Sequence, residues 1–254
     1  MSGLVEEAAR LYSENRTEEL LRYAADQWPS EGVDLPEGVG EVCRFAFIRC
    51  YELGLIDQHL WRARAHAAAI LEGAPYTTAC LMLQPFFVAV DDAVNETQEG
   101  FERGFAQARE ILDLMARLVS DGHPRAGLVR RLRQEKLAFS YLMEATRGGR
   151  PGPSSAPIME QAEREYRSAL EETPGDARGA LKIRGSLALV GYLELADRGR
   201  QAPQVEKTPF IEETLDVLNM AAQAGYDDVT AWAATNLAVM VSGRFEGWAP
   251  YDVA

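Results

Sequence analysis

Apolar side chains recur every three or four residues along nearly the whole chain, and this spacing constrains the fold more than any other feature of the sequence. The clearest stripe of this kind consists of Phe101, Phe105, Ala108, Leu112, Met115 and Val119. Charged residues occupy the opposite face of that segment, as in an amphipathic helix. Strict alternation of apolar and polar residues, which is typical of β-strands, hardly occurs. The sequence therefore predicts an all-α protein.

Two further segments show the same spacing and predict amphipathic helices. The apolar residues of the first are Ile56, Leu60, Ala63, Ala67 and Ile70, and those of the second are Ile211, Leu215, Leu218 and Ala222. Breaks rich in glycine and proline, among them residues 199–209, divide the chain into about eleven helical segments. Because most of these breaks are short, consecutive helices are expected to lie antiparallel as hairpins.

The longest break covers residues 147–157 and is too rich in glycine and proline for a helix. We predict a surface loop there, which joins two helical halves, residues 1–146 and 158–254. Each half alone would leave an open end of a helical stack. The favoured interpretation is therefore a single domain that covers residues 1–254.

The segment from Pro75 to Asn95 is expected at the centre of the protein. Residues 79–90 are apolar around the whole circumference of a helix, so other helices must cover them on all sides. Pro85 removes a backbone donor from this segment and predicts a kink or a break, beside which Gln84 can satisfy the freed carbonyl. The apolar stretch is shorter than the roughly 20 residues that a membrane-spanning helix needs.

Small and aromatic residues between Gln161 and Asp176 follow a specific order. Ala162 is followed by Tyr166, Ala169 and Pro174, which resembles the second-helix pattern of the tetratricopeptide repeat. The alanines allow close helix packing, the aromatic residue fills the groove between hairpins, and the proline ends the helix. The resemblance implies antiparallel hairpins stacked as an α-solenoid or a compact superhelix.

A second segment, looser in its match, is similar to the end of one such repeat and the start of the next. It contains Leu218, Ala221, Ala222 and Gly225, followed by Asn236, Leu237 and Ala238. In members of the family that bind peptide carboxylates, the corresponding asparagine lines the concave groove. The resemblance therefore implies a groove position for Asn236.

The charge balance limits the classes of partner. Acidic residues outnumber basic residues 39 to 26, which gives a formal net charge of −13 and disfavours nucleic acids and membranes as partners. Cys43, Cys50 and Cys80 are expected to be buried thiols in a reducing compartment. The first twenty residues carry five glutamates and no secretion signal, so we expect a cytoplasmic protein.

Histidines are too few and too far apart for a metal site. His59 and His66 are separated by two helical turns, about 10 Å, which is too far for two ligands of one ion. With Asp57 and Arg62 they are expected to form a polar row that faces a groove and solvent. The sequence also contains no phosphate-binding loop, nucleophile elbow or dinucleotide fingerprint. We predict no metal and no cofactor, and catalysis is not the favoured function.

Three acidic residues nevertheless keep an enzymatic alternative open. Asp91 and Asp92 lie at the end of the central segment, in a position similar to the aspartate-rich edge at which helical prenyl-chemistry enzymes bind magnesium diphosphate. Glu135 falls on the stripe of Leu128, Leu132, Phe139 and Leu142, where an apolar residue is expected. A buried carboxylate there needs a partner, for which we expect an arginine from another helix, or must reach a groove.

Three functional hypotheses follow from these observations. The first is a binding module that holds a peptide or partner protein in a groove lined by Tyr51, Arg62, Arg184, Tyr192, Asn236 and Arg244. The second is a small helical enzyme or accessory subunit with a cavity at Gln84, Asp91, Asp92 and Glu135. The third is self-association into a homodimer, for which the aromatic tail with Phe245, Trp248 and Tyr251 offers apolar surface.

Overall fold

The computed structural model describes residues 3–28, 35–71, 98–119, 122–146, 156–172, 175–197 and 204–242. These residues form ten helices and no strand, which confirms the all-α fold. The helices are α1 (Gly3–Ser13), α2 (Thr17–Gln27), α3 (Val39–Glu52), α4 (Gln58–Leu71), α5 (Gln98–Arg117), α6 (Ala126–Ala145), α7 (Ala156–Glu171), α8 (Ala177–Asp197), α9 (Gln204–Ala224) and α10 (Asp227–Ser242). They pack in adjacent pairs, an arrangement compatible with helical hairpins.

The chain divides into two compact units, and the boundary between Arg133 and Gln134 lies within α6. Unit 1 covers Met1–Arg133 and unit 2 covers Gln134–Ala254. The loop predicted at residues 147–157 is wrong for its last two residues, because α7 begins at Ala156 and Pro157 occupies its first turn, where proline is tolerated. Residues 147–155 lie outside the described part of the chain, and the single domain over residues 1–254 stays a prediction.

Unit 1 begins with two helical hairpins, α1–α2 and α3–α4. Helix α3 packs against all three of the others, and their shared core contains Leu11, Leu20, Val42, Cys43, Ala46, Cys50 and Trp61. Tyr12 near the end of α1 donates a hydrogen bond to Glu52 at the end of α3, at 2.5 Å. Because these two ends meet, α1 and α3 run in the same direction, as the first helices of successive hairpins do.

Three helix ends carry the same backbone turn. Asn15, Gly54 and Gly225 follow α1, α3 and α9 with φ angles of 57°, 63° and 73°. The next residue in each case donates its N–H to the carbonyl five residues back, from Arg16 to Leu11, from Leu55 to Cys50 and from Tyr226 to Ala221. This arrangement satisfies carbonyls at the helix end and needs a left-handed residue, which glycine and asparagine supply most easily.

Helix α5 packs against α4 and buries the stripe that defines it in the sequence. Its residues Phe105, Ala108, Leu112 and Met115, with Val119 just beyond its end, are buried, as predicted; the side chain of Phe101 lies outside the described part of the structure. Arg125 donates to the carbonyl of Ile70, and Arg133 binds Asp113. The first contact joins the residue before α6 to the end of α4, and the second joins α6 itself to α5.

Unit 2 is organised around α8, which packs against α7, α9 and α10. Ala162, Tyr166 and Ala169 of α7 are buried in one core with residues of α6 and α8, so the predicted small–aromatic–small stripe does join neighbouring hairpins. Arg178 binds Asp228 near the starts of α8 and α10 at 2.7 Å, whereas Tyr192 and Met240 meet near their ends. Helices α8 and α10 therefore run in the same direction.

Two glycines on α8 allow its neighbours to approach closely. A Cβ atom on Gly185 would lie 2.6 Å from the ring of Trp232 in α10, and one on Gly191 would overlap the ring of Phe210 in α9. Carbon atoms do not approach each other this closely without strain. The absence of a side chain at these two positions therefore sets the distance between α8 and the next hairpin.

Some apolar residues face away from the core that their spacing predicted. Ile56 is 88% exposed, because Gly54 ends α3 and α4 begins only at Gln58, which leaves Ile56 in the turn. In α9, Leu215 and Ala222 are exposed, whereas Thr214, Val217 and Ala221 are buried. Thr214 can be buried because its hydroxyl donates to the carbonyl of Phe210.

Two other predictions concern breaks and buried segments. The break expected at residues 199–209 is wrong from Gln204 onwards, because α9 begins there and contains Pro209. The central segment with Gln84 and Pro85 lies outside the described residues. Within those residues, no helix is long and apolar enough to cross a membrane. Cys43 and Cys50 are buried free thiols, as predicted.

Candidate functional site

Helix α4 carries three nitrogen-bearing side chains on one face. His59, Arg62 and His66 follow one another at intervals of three and four residues, which places them along one stripe of a helix. We call these three residues the α4 stripe. Each has at least one buried nitrogen that makes no hydrogen bond to a residue that the structure describes. The sequence predicted a solvated row at this position, and that prediction is wrong for the buried nitrogens.

Arg62 occupies the middle of the α4 stripe. Its Nε and Nη2 atoms are the buried nitrogens without a partner among the described residues, and its Cζ lies 5.5 Å from the centre of the Phe47 ring. Burial lowers the pKa of Arg62 to about 10, an effect that the nearby Tyr51 opposes. Arg62 therefore remains a cation at neutral pH although its guanidinium edge is removed from water.

His66 is only 6% exposed, and neither of its ring nitrogens has a partner among the described residues. Burial, and to a smaller extent the positive charge of Arg62, lower the pKa of His66 to about 3. The ring is therefore neutral at physiological pH and offers one N–H donor and one acceptor. His59 adds a buried Nδ1 at the other end of the stripe.

Arg64, two residues after Arg62, has a different environment. Its Cζ lies 5.5 Å from the Trp28 ring and 4.8 Å from the Trp61 ring, so two aromatic faces contact its guanidinium. Such cation–π contacts compensate part of the loss of water. Nε of Arg64 is also buried without a partner among the described residues, but Arg64 contacts two rings there, whereas Arg62 contacts the ring of Phe47 and leaves two nitrogens unpaired.

An exposed apolar surface lies at the turn between α3 and α4. Tyr51, Leu53 and Ile56 are 68%, 53% and 88% exposed, and they lie within six residues of one another. We call these three residues the turn patch. The ring of Tyr51 lies 6.1 Å from that of Phe47, which in turn contacts Arg62. The structure thus brings Tyr51 and Arg62, two of the predicted groove residues, into one region.

The predicted groove residues of unit 2 have partners or are buried. Arg184 binds Glu213 at 2.8 Å. Tyr192 is buried and donates its hydroxyl proton to the carbonyl of Met240 at 2.6 Å. Asn236 is buried in α10, and its Nδ2 has no partner among the described residues. None of these three side chains is presented to solvent as freely as Tyr51.

Glu135 is 4% exposed, and its carboxylate has positively charged partners, as the sequence led us to expect of a buried acid. Its carboxylate lies 3.0 Å from the Nζ of Lys182 on α8 and 3.3 Å from that of Lys136. These two partners are lysines, and the arginine partner expected from the sequence stays a prediction. The arrangement of one acid between two bases at the interface of two helices is that of a structural ion pair.

The other predicted site residues, Gln84, Asp91, Asp92 and Arg244, lie outside the described residues. Among the residues that are described, no group of three histidine, cysteine, aspartate or glutamate side chains is arranged to hold a metal ion. The sequence interpretation missed Phe47 and Leu53. Phe47 lies one helical turn before Tyr51 on α3, and this spacing is the feature that could have placed it beside the groove residues.

Comparison of the chain with known protein families, curated proteins and solved structures finds no match.

Proposed function

We propose that this protein is a helical-repeat binding module, without catalytic activity of its own, that holds a segment of another protein at the α3–α4 hairpin. The observation that carries the proposal is the turn patch, in which three large apolar side chains within six residues of one another are exposed. Contiguous exposed apolar surface is typical of protein-binding sites, whereas single exposed apolar residues are common everywhere.

Tyrosine is one of the residue types that provide most of the binding energy in protein interfaces. Burial of one leucine or isoleucine side chain contributes about 1.5–3 kcal/mol. The turn patch is also close to a cation, since Tyr51 and Phe47 connect it to Arg62. A peptide that combines an apolar side chain with a negative charge fits this combination, although the chain as a whole carries a net charge of −13.

The enzymatic alternative depends on residues that give it no support in the described structure. Gln84, Asp91 and Asp92 lie outside the described residues, and the carboxylate of Glu135 is held by two lysines. The proposal includes a cytoplasmic location. The buried thiols of Cys43 and Cys50, which form no disulfide, support it, because disulfides are common in oxidising compartments and rare in the cytoplasm.

A library of random peptides displayed on phage tests the proposal when it is selected against the full chain. We expect it to yield peptides that bind the chain, and replacement of Leu53 and Ile56 together by serine is expected to weaken their binding more than tenfold, as measured by fluorescence anisotropy. The matched control replaces Leu215 and Met220, exposed apolar residues of unit 2, by serine. Selection of no peptide, or equal weakening by both double variants, would contradict the proposal.

A further inference from the structure

We propose that Arg62, with the neighbouring ring of His66, is a binding site for a carboxylate group of the ligand. This inference rests on the proposed function in one respect, since it takes the α3–α4 hairpin as the part of the chain that binds a ligand. It goes beyond that function because it assigns the chemical group that is recognised. Two buried nitrogens of Arg62, Nε and Nη2, have no partner among the described residues and are the donors available to such a group.

Elsewhere in this chain, the same edge of the guanidinium group pairs with carboxylates. Arg10 donates from Nε and Nη2 to the two carboxylate oxygens of Glu7, at 2.8 and 2.6 Å. Arg16 binds Glu19 and Arg44 binds Glu41 through the same two nitrogens. Two parallel N–H groups match the two oxygens of a carboxylate, which makes this edge selective for that group.

In Arg62 this edge is buried, yet it makes no hydrogen bond to a described residue. Unpaired buried donors lower the stability of a protein, and a buried charge without a partner does so more strongly. Arg10, Arg16 and Arg44 are partly exposed, so water could have replaced their glutamate partners at little cost. The edge of Arg62 is cut off from water and therefore needs a carboxylate more than they do, but the described chain supplies none.

The surroundings of Arg62 favour a single negative charge. His66 is neutral at physiological pH and can donate one hydrogen bond, so it adds no positive charge beside Arg62 at that pH. A monoanionic carboxylate matches this charge, whereas a phosphate dianion would keep an uncompensated charge in a buried place. The Phe47 ring and the buried alanines of α4, such as Ala63, suit a carboxylate on an apolar carrier.

Access to the site needs a movement of one side chain, because Nε and Nη2 of Arg62 lie beneath the protein surface. Tyr51 is the exposed neighbour of this region, and exposed side chains change rotamer on the picosecond to nanosecond scale. Binding there requires that rotation of Tyr51 expose the guanidinium edge of Arg62 on the side of the turn patch. A ligand that contacts the turn patch would thus reach Arg62 with its carboxylate.

Thermal unfolding of the full chain in the presence of small anions tests this inference. We expect benzoate, and more weakly acetate, to raise the melting temperature at millimolar concentration, because a ligand that binds only the folded state stabilises it. Inorganic phosphate at the same ionic strength is expected to have no such effect. No response to either carboxylate, or an equal response to phosphate, would overturn the inference.

Two variants of Arg62 test whether this residue binds benzoate. Arg62→Lys keeps the charge but loses the paired donors, and Arg62→Gln loses both, so each is expected to weaken benzoate binding at least tenfold. The matched control is Arg44→Gln, which removes an exposed arginine of α3 that already binds Glu41. Unchanged benzoate binding in either folded Arg62 variant would overturn the inference.

The source of the carboxylate is distinguished with selected peptides. Amidation of the peptide C-terminus, or replacement of its acidic side chains by amides, is expected to weaken binding tenfold if a polypeptide supplies the group. Binding of benzoate through Arg62 without selection of any peptide would support the carboxylate site and contradict the docking of a polypeptide. Another outcome is that selected peptides lose affinity when Leu53 and Ile56 are replaced and yet bind the Arg62→Lys variant with the same affinity as the unchanged chain. Such peptides would support docking and overturn the carboxylate site.

Discussion

Both units of this protein bury a charged side chain on a helix, but they treat that charge differently. In unit 2, Glu135 lies between Lys182 of a neighbouring helix and Lys136 of its own, at 3.0 and 3.3 Å. In unit 1, the guanidinium edge of Arg62 has no hydrogen-bond partner among the described residues, and neither has the ring of His66. The first arrangement is complete within the described chain, whereas the second is not.

This difference separates a structural charge from a functional one. A buried ion pair with all its members present contributes little net stability, but removal of one member is costly. A buried charge without a partner costs stability in the folded state, so a chain is expected to keep it only where a ligand or partner supplies the missing group. The two sites should therefore respond to neutralisation with opposite signs.

The largest effect is expected from Glu135→Leu. This change keeps an apolar side chain on the stripe of α6 but leaves Lys136 and Lys182 without their shared carboxylate, which should lower the free energy of unfolding by about 3–5 kcal/mol. Urea unfolding, monitored by circular dichroism, measures this change in the free energy of unfolding. The control is Glu163→Leu, which breaks an exposed pair with Arg167 and should cost less than about 1 kcal/mol. Equal effects of the two changes would remove the distinction between the buried and the exposed acid.

Arg62→Met is expected to have a smaller effect of the opposite sign. Methionine keeps much of the length of the arginine side chain while it removes a buried charge without a partner, so the ligand-free protein should gain about 2 kcal/mol of stability. The same substitution at Arg64 should stabilise less, because it removes contacts with two rings, Trp28 and Trp61, and only one buried nitrogen without a partner among the described residues. Chemical unfolding of both variants measures the difference in their free energies of unfolding. A loss of stability in Arg62→Met would show that Arg62 stabilises the fold, as Glu135 does.

The smallest of these effects concerns pH and His66. Its pKa in the folded protein is about 3, below its ordinary value of 6.5, so below pH 6.5 the unfolded chain binds a proton that the folded chain does not. The stability contributed by neutral His66 is therefore complete above pH 6.5 and is lost as the pH falls towards 3. Between about pH 7 and pH 5.5 this loss should be ~1.3 kcal/mol, and His66→Met should lack it.

Urea unfolding of the two proteins at both pH values tests this prediction. Carboxylates elsewhere titrate in the same range in both proteins, so the difference between them isolates the histidine. The same pH dependence in His66→Met and in the unchanged chain would show that His66 is protonated in the folded state. That result would place a second positive charge beside Arg62 and would weaken the case for a monoanionic ligand.

The helical fold was largely predictable, because it depends on spacing along the sequence. Ala162, Tyr166 and Ala169 lie in the core of unit 2, and the stripe that contains Phe105 and Leu112 is buried. Exact faces were less predictable. In α9 the buried side is rotated towards Val217, because contacts with α8 and α10 select the face and the sequence offers apolar residues on both.

The candidate site was predictable only in part. The sequence indicated that Tyr51 and Arg62 belong to one binding region and that the histidines of α4 share a face with Arg62. It could not indicate that these polar side chains are buried, because a polar row on an amphipathic helix normally faces water. Their burial depends on the way in which α4 packs against α3 and α5, and this is a property of tertiary structure.

The most direct test of the central claim is the ¹⁵N–¹H resonance of the Arg62 Nε–H group during titration with benzoate. Our account predicts a saturable shift of this resonance to lower field, with the same dissociation constant that thermal unfolding gives, while the Nε–H resonance of Arg44 stays unchanged. An Arg62 resonance that does not move, or that moves in proportion to ionic strength along with that of Arg44, would contradict the claim that the buried edge of Arg62 binds a carboxylate.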